Sequence, residues 1–273
     1  MRVVAVGECT EDRYVDLGVE KTGGTSLNFA VHARACGADS VALVSCTGTD
    51  AAAAATRRLL ARADVDATHV HVLPGETASQ AIRIDEGGER VFPPGGYAPG
   101  VLADFRLGAA DLAFVARFDV VAGTYFRQVA HLFGPAMAAA APGAVRVADF
   151  LDGQDLGPGF SGLEAWLDAL DLAFVSGPEE HVEGLLRRSM HTRTLLVVTH
   201  GAGGSSALVG GRRIHQPAVP VPAEARVDTT GCGDAFQAAF TVSYVRDRNV
   251  PAALRAGAER AALVIRHLGA TGD

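Results

Sequence analysis

Short runs of consecutive apolar residues alternate along the chain with longer segments in which apolar residues recur at helical spacing. The first run covers residues 3–7, and a helical pattern over 26–36 is placed to end at Gly37. Further runs lie at 41–45, 120–122, 145–148, 172–175 and 195–199, with helical patterns at 51–61, 128–141, 164–170 and 179–188. Strands that are apolar throughout are buried on both faces, as in parallel sheets covered by helices. The pattern predicts an α/β fold with a doubly wound, mostly parallel sheet flanked by helices.

One segment departs from this alternation. Between residues 77 and 92 single residues alternate in polarity on either side of Gly87-Gly88, a pair typical of a hairpin turn. Such a hairpin packs poorly inside a doubly wound sheet, so we predict that it projects and contributes to a small β lid. With no internal repeat or low-complexity linker, we expect residues 1–273 to form a single domain with lid elements near 9–24 and 77–95.

The composition and charge of the chain argue against several classes of function. The 273 residues carry a formal net charge of −7, which argues against nucleic-acid binding and against an anionic membrane surface. No apolar stretch approaches the length of a membrane span, and no signal peptide is evident at the start. The four cysteines lack metal or redox spacing, so we expect reduced thiols and a cytoplasmic location.

The most informative segment is VDTTGCGDAF, residues 227–236, in which glycines stand before a helical pattern. The start of a helix presents unpaired N–H groups and the positive end of the helix dipole. Gly231 and Gly233 allow the backbone to approach a ligand closely. The segment therefore predicts an anion site suited to phosphate.

Asp234 lies in the first turn of that predicted helix. A carboxylate there is often only a favourable partner of the helix dipole. Beside a bound phosphate, however, its negative charge is costly unless it handles a proton. Phosphoryl transfer needs such a base to accept the proton of the attacking hydroxyl while N–H groups stabilise the transferred group. We therefore predict that Asp234 is a catalytic base.

Residues 228–236 resemble the D-T-x-G-A-G-D-x-F signature of the ribokinase-like, or PfkB, family of carbohydrate kinases, with Cys232 where alanine is usual. The resemblance covers nearly the whole chain and implies a ribokinase-like fold, ATP as phosphoryl donor and Asp234 as base. It implies an anion hole formed by Gly231, Cys232 and Gly233. Asp228 and Thr230 would shape and line the loop at the ATP site.

Two further segments resemble family patterns. The segment GGTSLNFA, residues 23–30, is similar to G-G-x-x-x-N-x-A, which implies sugar binding by Gly23, Gly24 and Asn28, together with an early aspartate, Asp12. A simple turn before a helix would also explain the two glycines. The segment THGAGG, residues 199–204, is similar to T-x-G-x-x-G, which implies nucleotide contacts by Thr199, Gly201 and Gly204.

The family's N-x-x-E motif, which organises Mg²⁺ and phosphate, is represented only by Ser176-Gly177-Pro178-Glu179. Glu179 has the spacing of the metal residue and Glu180 is a close rival, while two carboxylates at a helix start are the simpler explanation. Mg²⁺ is expected in either case because the ATP phosphates require charge neutralisation. A monovalent-cation requirement stays open.

Within the family the chain looks most like the fructoselysine 6-kinase branch, on residues 89–92, 103–105, 148–150 and 171–174. This implies a fructosamine as acceptor, and charged residues near the lid, among them Glu8 and Arg90, are available for its amine and carboxylate. They could equally be a solvated rim. Ribose, fructose, 2-keto-3-deoxygluconate or a nucleoside are alternative acceptors, and a non-catalytic sugar-sensing module is the alternative outside enzymes. A homodimer through the lid is compatible with the alternating pattern.

Overall fold

The computed structural model describes residues 1–272 and contains two sheets. Its strands are β1 (Arg2–Val6), β2 (Thr10–Tyr14), β3 (Val19–Gly23), β4 (Ser40–Thr47), β5 (Asp66–Val72), β6 (Ser79–Ile84), β7 (Arg90–Val91), β8 (Tyr97–Ala98), β9 (Val120–Thr124), β10 (Val145–Asp149), β11 (Leu172–Ser176), β12 (Leu195–Thr199), β13 (Ser205–Val209) and β14 (Arg212–Gln216). Its helices are α1 (Thr25–Ala35), α2 (Ala51–Arg62), α3 (Ala109–Val115), α4 (Ala130–Ala139), α5 (Glu164–Leu167), α6 (Glu180–Arg188), α7 (Cys232–Asp247) and α8 (Val250–Val264).

The large sheet has nine strands in the order β14-β13-β12-β11-β10-β9-β1-β4-β5. All neighbours are parallel except β12 with β13 and β13 with β14. The chain builds outward from β1 through β4 to β5, then returns to the other side of β1 at β9. This change of direction opens a crevice at the carboxyl ends of β1 and β9, where ligands bind in open α/β sheets. The predicted doubly wound sheet is confirmed.

The core lies on both faces of this sheet, as the uninterrupted apolar runs require. Along β1, Val3 and Ala5 point into the layer that contains α1, α2, α7 and α8. Val4 and Val6 point into the opposite layer, which contains α3 to α6. Successive side chains of a strand face opposite sides, so a strand between two helical layers must be apolar at every position. The expected helix at 164–170 is shorter, since α5 ends at Leu167.

The second sheet has five strands, in the order β3-β2-β6-β7 with β8 paired to β6, and is the predicted lid. The expected hairpin is present, with Arg83 opposite Val91 and Ile84 opposite Arg90. Its return strand has only two residues. β2 and β6 pair in parallel although Tyr14, at the end of β2, and Ser79, at the start of β6, are 65 positions apart in the sequence. Within residues 1–272, no helix combines the length and apolar character needed to cross a membrane.

Candidate active site

Two cavities meet between the lid and the crevice of the large sheet. The first, the acidic cavity, has a volume of about 510 Å³ and lies between the lid, α1 and the start of α7. The second, the helix-side cavity, has a volume of about 680 Å³ and reaches from the start of α7 to α8. Three residues line both cavities: Arg90, Ser176 and Gly233. The predicted glycine loop therefore lies at the boundary between two spaces, each large enough for a small ligand.

Gly231 directly precedes α7 and has a left-handed backbone with φ of 78°. A Cβ at this position would lie 2.3 Å from Cβ of Ala270, so the close approach requires glycine. A Cβ on Gly233, by contrast, would meet no heavy atom within 4 Å, because this residue faces open space. The loop thus combines one glycine that shapes the turn with one that leaves room for a ligand.

The free N–H groups of the loop differ in one respect from those of the predicted anion hole. The N–H of Cys232 donates to the carbonyl of Thr229 at 3.2 Å, so it is already engaged. Within residues 1–272, the N–H groups of Gly231, Gly233 and Asp234 have no such acceptor. The amide of Asp234 therefore replaces that of Cys232 among the donors that the helix start offers to an anion.

Asp234 lines the acidic cavity beside this loop. Its Oδ2 accepts a hydrogen bond of 2.8 Å from Nδ2 of Asn28 on α1. Burial raises the pKa of Asp234 to about 8; the Asn28 bond opposes the rise, and the nearby carboxylate of Asp149 adds to it. A carboxyl group with this pKa gains and loses its proton within about a unit of neutral pH, and its ionised form can act as a general base.

Asp12 and the two glycines near α1 form one structural unit. Asp12 is buried on β2, lines the acidic cavity and accepts a bond of 2.8 Å from Oγ1 of Thr10. A Cβ on Gly23 would lie 2.0 Å from Oδ2 of Asp12, so this glycine makes room for the carboxylate. Gly24 precedes α1 with φ of 103° and itself lines the cavity. Burial raises the pKa of Asp12 to about 7.

The acidic cavity is lined by more carboxylates than the sequence indicated. Six acidic residues face two basic ones, Arg90 and Arg127; the six are Glu8, Asp12, Asp149, Asp152, Asp155 and Asp234. Glu8, which a solvated rim would leave exposed, is buried and accepts bonds from Oη of Tyr97 at 3.0 Å and from the N–H of Thr25 at 3.2 Å. Burial raises the pKa of several of these groups, and a ligand that carries positive charge would favour their ionised form.

The helix-side cavity has a different character. Thr199, Gly201 and Gly204, for which nucleotide contacts are predicted, line it. Its other walls are largely apolar and include Val219, Val221, Phe236, Ala258, Ala261, Ala262 and Ile265. A polar glycine loop on one side and apolar walls on the other suit a flat heterocycle that carries phosphates.

Asp228 and Thr230 belong to the glycine loop, as the family resemblance implies, but neither of them lines the helix-side cavity. Asp228 is fully buried and lines neither cavity. Its carboxylate accepts bonds from Oη of Tyr14 at 2.5 Å, the N–H of Thr230 at 2.8 Å and the N–H of Gly269 at 2.9 Å. It therefore shapes the loop and links it to the lid, with no surface left for a nucleotide contact. Thr230 lines the acidic cavity, on the other side of the loop from the helix-side cavity.

Glu179 is not brought to the loop. Its carboxylate pairs with the guanidinium of Arg213, with Nη2 to Oε2 at 2.9 Å, and its side chain is 60% exposed. It lines neither cavity, whereas Ser176, the counterpart of the family's asparagine, lines both. Of the residues that line both cavities only Ser176 has a side-chain oxygen, which fits an Mg²⁺ ion held chiefly by phosphates and water rather than by a protein cage. Metal binding by Glu179 stays a prediction.

Arg90 lies near the lid, as the sequence indicated, but its contact with the glycine loop was not predicted. Its backbone N–H donates to Oγ1 of Thr229 at 3.0 Å, and its Nη1 donates to the carbonyl of Thr229 at 2.8 Å. These bonds join the lid hairpin to the glycine loop and hold the guanidinium where both cavities meet. Its position depends on lid packing, which the local sequence does not encode.

Comparison with known proteins gives a consistent result. The model of the pfkB family carbohydrate kinases matches residues 3–124 and 157–273. The chain is 31% identical over 274 residues to fructoselysine 6-kinase of Escherichia coli, covering 98% of both proteins. It is 28% identical over 278 residues to fructosamine kinase FrlD of Bacillus subtilis, covering all of this chain and 93% of the relative. The crystal structure of adenosine kinase from Sinorhizobium meliloti superposes with a TM-score of 0.83 at 20% identity, covering 98% of this chain and 95% of that one.

Proposed function

The chain belongs to the pfkB family of carbohydrate kinases, and we propose that it transfers the γ-phosphoryl group of ATP to a hydroxyl of a fructosamine, with Asp234 as the catalytic base. One observation carries this assignment. Asp234 and the glycine loop stand at the boundary of two cavities, one lined by carboxylates and one with apolar walls. An acceptor in the acidic cavity and a nucleotide in the helix-side cavity would meet at this boundary.

The acceptor hydroxyl would approach Asp234 from the acidic cavity. Asn28 holds one oxygen of the carboxylate at 2.8 Å and leaves the other for the proton of the hydroxyl. The carboxylate takes this proton as the hydroxyl oxygen bonds to the γ-phosphorus and the bond to the β-phosphate breaks. Asp12 would hold other hydroxyls of the sugar from the lid side.

The transferred group would be stabilised by fixed donors. The N–H groups of Gly231, Gly233 and Asp234 point out of the start of α7, and Arg90 adds a full positive charge from the lid. Because these groups are already in position, little reorganisation is needed as charge develops on the phosphoryl oxygens. Arg90, which lies where the two cavities meet, would also close the boundary between them over the transferred group.

Kinases of this type use ATP with Mg²⁺. When bound, the ion neutralises phosphate charge. In this chain Ser176 at the boundary would face the hydrated ion, and Glu179 would reach it only if its ion pair with Arg213 opened. A monovalent-cation requirement and a dimer through the lid remain proposals.

The charge of the acidic cavity supports a fructosamine over the other acceptors. A fructosamine carries an amine next to the sugar, and its positive charge would favour the ionised form of the six acidic groups in this cavity, among them Asp12 and Asp234, whose pKa burial raises. The same carboxylates would disfavour 2-keto-3-deoxygluconate, which is itself an anion. Ribose and fructose bear no charge and would leave these acidic groups without a partner. The exposed pair of Arg127 and Asp155 at the cavity mouth suits the amino-acid end of the acceptor.

An acceptor panel tests the proposal. ADP release would be measured with ATP and Mg²⁺ against fructoselysine, other fructosamines, fructose, ribose, 2-keto-3-deoxygluconate and adenosine. We expect kcat/KM to be highest for a fructosamine by at least tenfold, and NMR of the product would locate the phosphorylated carbon. Turnover of a neutral sugar or nucleoside with none of any fructosamine would reject the acceptor while keeping the kinase. No ADP release with any acceptor would favour a sugar-sensing module.

A further inference from the structure

Two histidines and an aspartate converge at the far edge of the large sheet. His69 and His71 are two positions apart on the edge strand β5, so both side chains lie on one face of it. Asp111 reaches them from α3. Oδ1 of Asp111 lies 2.7 Å from Nδ1 of His69 and 2.8 Å from Nε2 of His71, and all three ligand atoms lie within 4.8 Å of one another. None of the three lines the cavities of the active site.

The three side chains are held in these orientations by their neighbours. The ring of His69 stacks on Phe114 with centroids 4.0 Å apart, and the ring of His71 lies 5.2 Å from that of Phe105. The second oxygen of Asp111 accepts the N–H of Gly108 at 2.8 Å. Few rotamers remain open to these groups, so little conformational entropy would be lost on binding an ion.

Exposure differs across the cluster in a way that leaves one side open. The side chain of Asp111 is 5% exposed and that of His69 18%, whereas His71 is 40% exposed. An ion held by the three would be enclosed from the protein side and would keep one position toward water. Three protein ligands and one water form a common four-coordinate arrangement for zinc.

We propose that His69, His71 and Asp111 bind a zinc ion. Imidazole nitrogen favours zinc over Mg²⁺ and Ca²⁺, which prefer sites made of oxygen alone. Tetrahedral zinc with ligand distances near 2.0 Å separates its ligand atoms by about 3.3 Å. The carboxylate would therefore withdraw by about half an ångström from each imidazole, and the two imidazole nitrogens, now within 4.8 Å of each other, would draw together by small changes in their side-chain torsions.

A metal-free explanation of the cluster exists, and it makes different predictions. One carboxylate oxygen could accept an N–H from each imidazole, which accounts for the two short distances with neutral histidines. Such a network needs no ion and would give no saturable binding. It also brings the three ligand atoms close enough together for small side-chain movements to complete a zinc site.

The place of the cluster in the fold indicates a structural role for the ion. It would join the edge strand β5 to the segment at 100–115, which leads from the lid back into the helical layer. Leu102 and Phe105 of that segment pack with Cys46 and Ala78 beneath the lid. A zinc ion here would therefore fasten the base of the lid and the sheet edge together, without taking part in phosphoryl transfer.

Zinc titration of the untagged full-length protein tests this. After removal of bound metal with a chelator, and without nucleotide, zinc would be titrated in competition with a chromophoric indicator. We expect one site per chain, with affinity reduced at least tenfold by His69→Ala and by His71→Ala. His191→Ala, an exposed histidine outside the cluster, and His215→Ala, near Glu179 and His200, are matched controls that should bind as the unaltered protein does.

Two further measurements decide the outcome. Zinc should raise the Tm of the unaltered protein by several degrees and leave that of His71→Ala unchanged. Co²⁺ in place of zinc should give the visible bands of four-coordinate cobalt. This measurement needs only the unaltered protein, so it tests the proposal even when the variants do not fold. Absence of a one-to-one site, or an affinity in both histidine variants equal to that of the unaltered protein, overturns the proposal. Activity with Mg²⁺ and ATP should be unaffected by His71→Ala.

Discussion

Asp234 occupies a position in which its ionised form is disfavoured. Burial and the carboxylates of Asp149 and Glu8 act against the charge, while Asn28 and Arg90 act for it. A carboxylate with only one bonded partner in such surroundings reduces the stability of the fold in exchange for reactivity. Substitution of Asp234 should therefore change the stability of the protein and its turnover in opposite directions.

Asp234→Asn should remove most turnover and raise stability. With a folded pKa of about 8 against an ordinary value of 3.8, the folded state holds the proton more tightly, so ionisation costs stability as pH rises between these values. We expect kcat to fall by at least about a thousandfold and the free energy of unfolding to rise by about 1 to 3 kcal/mol near pH 7. The gain should vanish below pH 4. Urea unfolding at pH 4 and pH 7 checks this, and a stability gain of equal size at both would contradict it.

The pH profile of kcat/KM should rise with pH toward about 8 and then level, because the base acts in its ionised form. Asp149→Asn is the informative second variant, since removal of that neighbouring charge should lower the pKa of Asp234 and move the rise to lower pH. Initial rates between pH 5.5 and 9.5 would report both midpoints. A flat profile, or one with the same midpoint in Asp149→Asn, would count against Asp234 as base.

Elements differ in how far their sequence predicts them. The strands β1, β4 and β9 to β12 are predictable because burial on both faces requires apolar residues throughout. Strand β5 is not, since polar residues such as His69 and His71 stand on a half-exposed edge. The parallel pairing of β2 with β6 joins segments distant in sequence, which local periodicity cannot encode. For the same reason Asp234 and the glycine loop follow from one contiguous segment, whereas Glu8 and Arg90 become part of the site only when the lid folds over it.

The two glycines of the loop should respond in opposite ways to alanine. Gly231→Ala combines a left-handed backbone with a Cβ 2.3 Å from Ala270, so we expect a loss of about 2 kcal/mol or more in stability. Gly233→Ala has free space and a helical position, so stability should be unchanged or slightly higher. Its methyl group would instead occupy the phosphate path and lower kcat. Thermal unfolding and turnover of both variants would test this, and equal stability would contradict it.

Arg90 connects the lid hairpin to the loop, and its charge should matter more than its lid contacts. Arg90→Ala should lower kcat by about a hundredfold, as expected for loss of a preorganised donor to the transferred group. Arg90→Lys should recover part of this, because the charge remains. Arg83→Ala is the matched control, since Arg83 lies on the same hairpin, 59% exposed and paired with Asp16. A loss in Arg90→Ala no greater than in Arg83→Ala would exclude the assigned role.

At the scale of the whole molecule, acidic residues are concentrated where the acceptor would enter. The chain has a net charge of −7, and the mouth of the acidic cavity carries the exposed carboxylates of Asp152 and Asp155. A cleft lined by one sign of charge focuses its field and raises the local concentration of oppositely charged ligands. Fold and charge thus act together, since the carboxyl ends of the parallel strands and the lid bring these residues around one opening.

This arrangement predicts a dependence on salt that differs between acceptors. Fructoselysine, with two amines and one carboxylate, carries a net charge of about +1 at neutral pH, so its capture should weaken as ions screen the cavity mouth. We expect kcat/KM for fructoselysine to fall several-fold between about 0.05 and 0.5 M salt, whereas any measurable value for fructose should change little. Asp152→Asn should reduce the salt dependence for fructoselysine while leaving kcat unchanged, because that carboxylate lies at the mouth and away from the transferred group. If salt affected both acceptors equally, the charge of the cavity would not be the basis of its selectivity, and shape would have to explain the choice of acceptor.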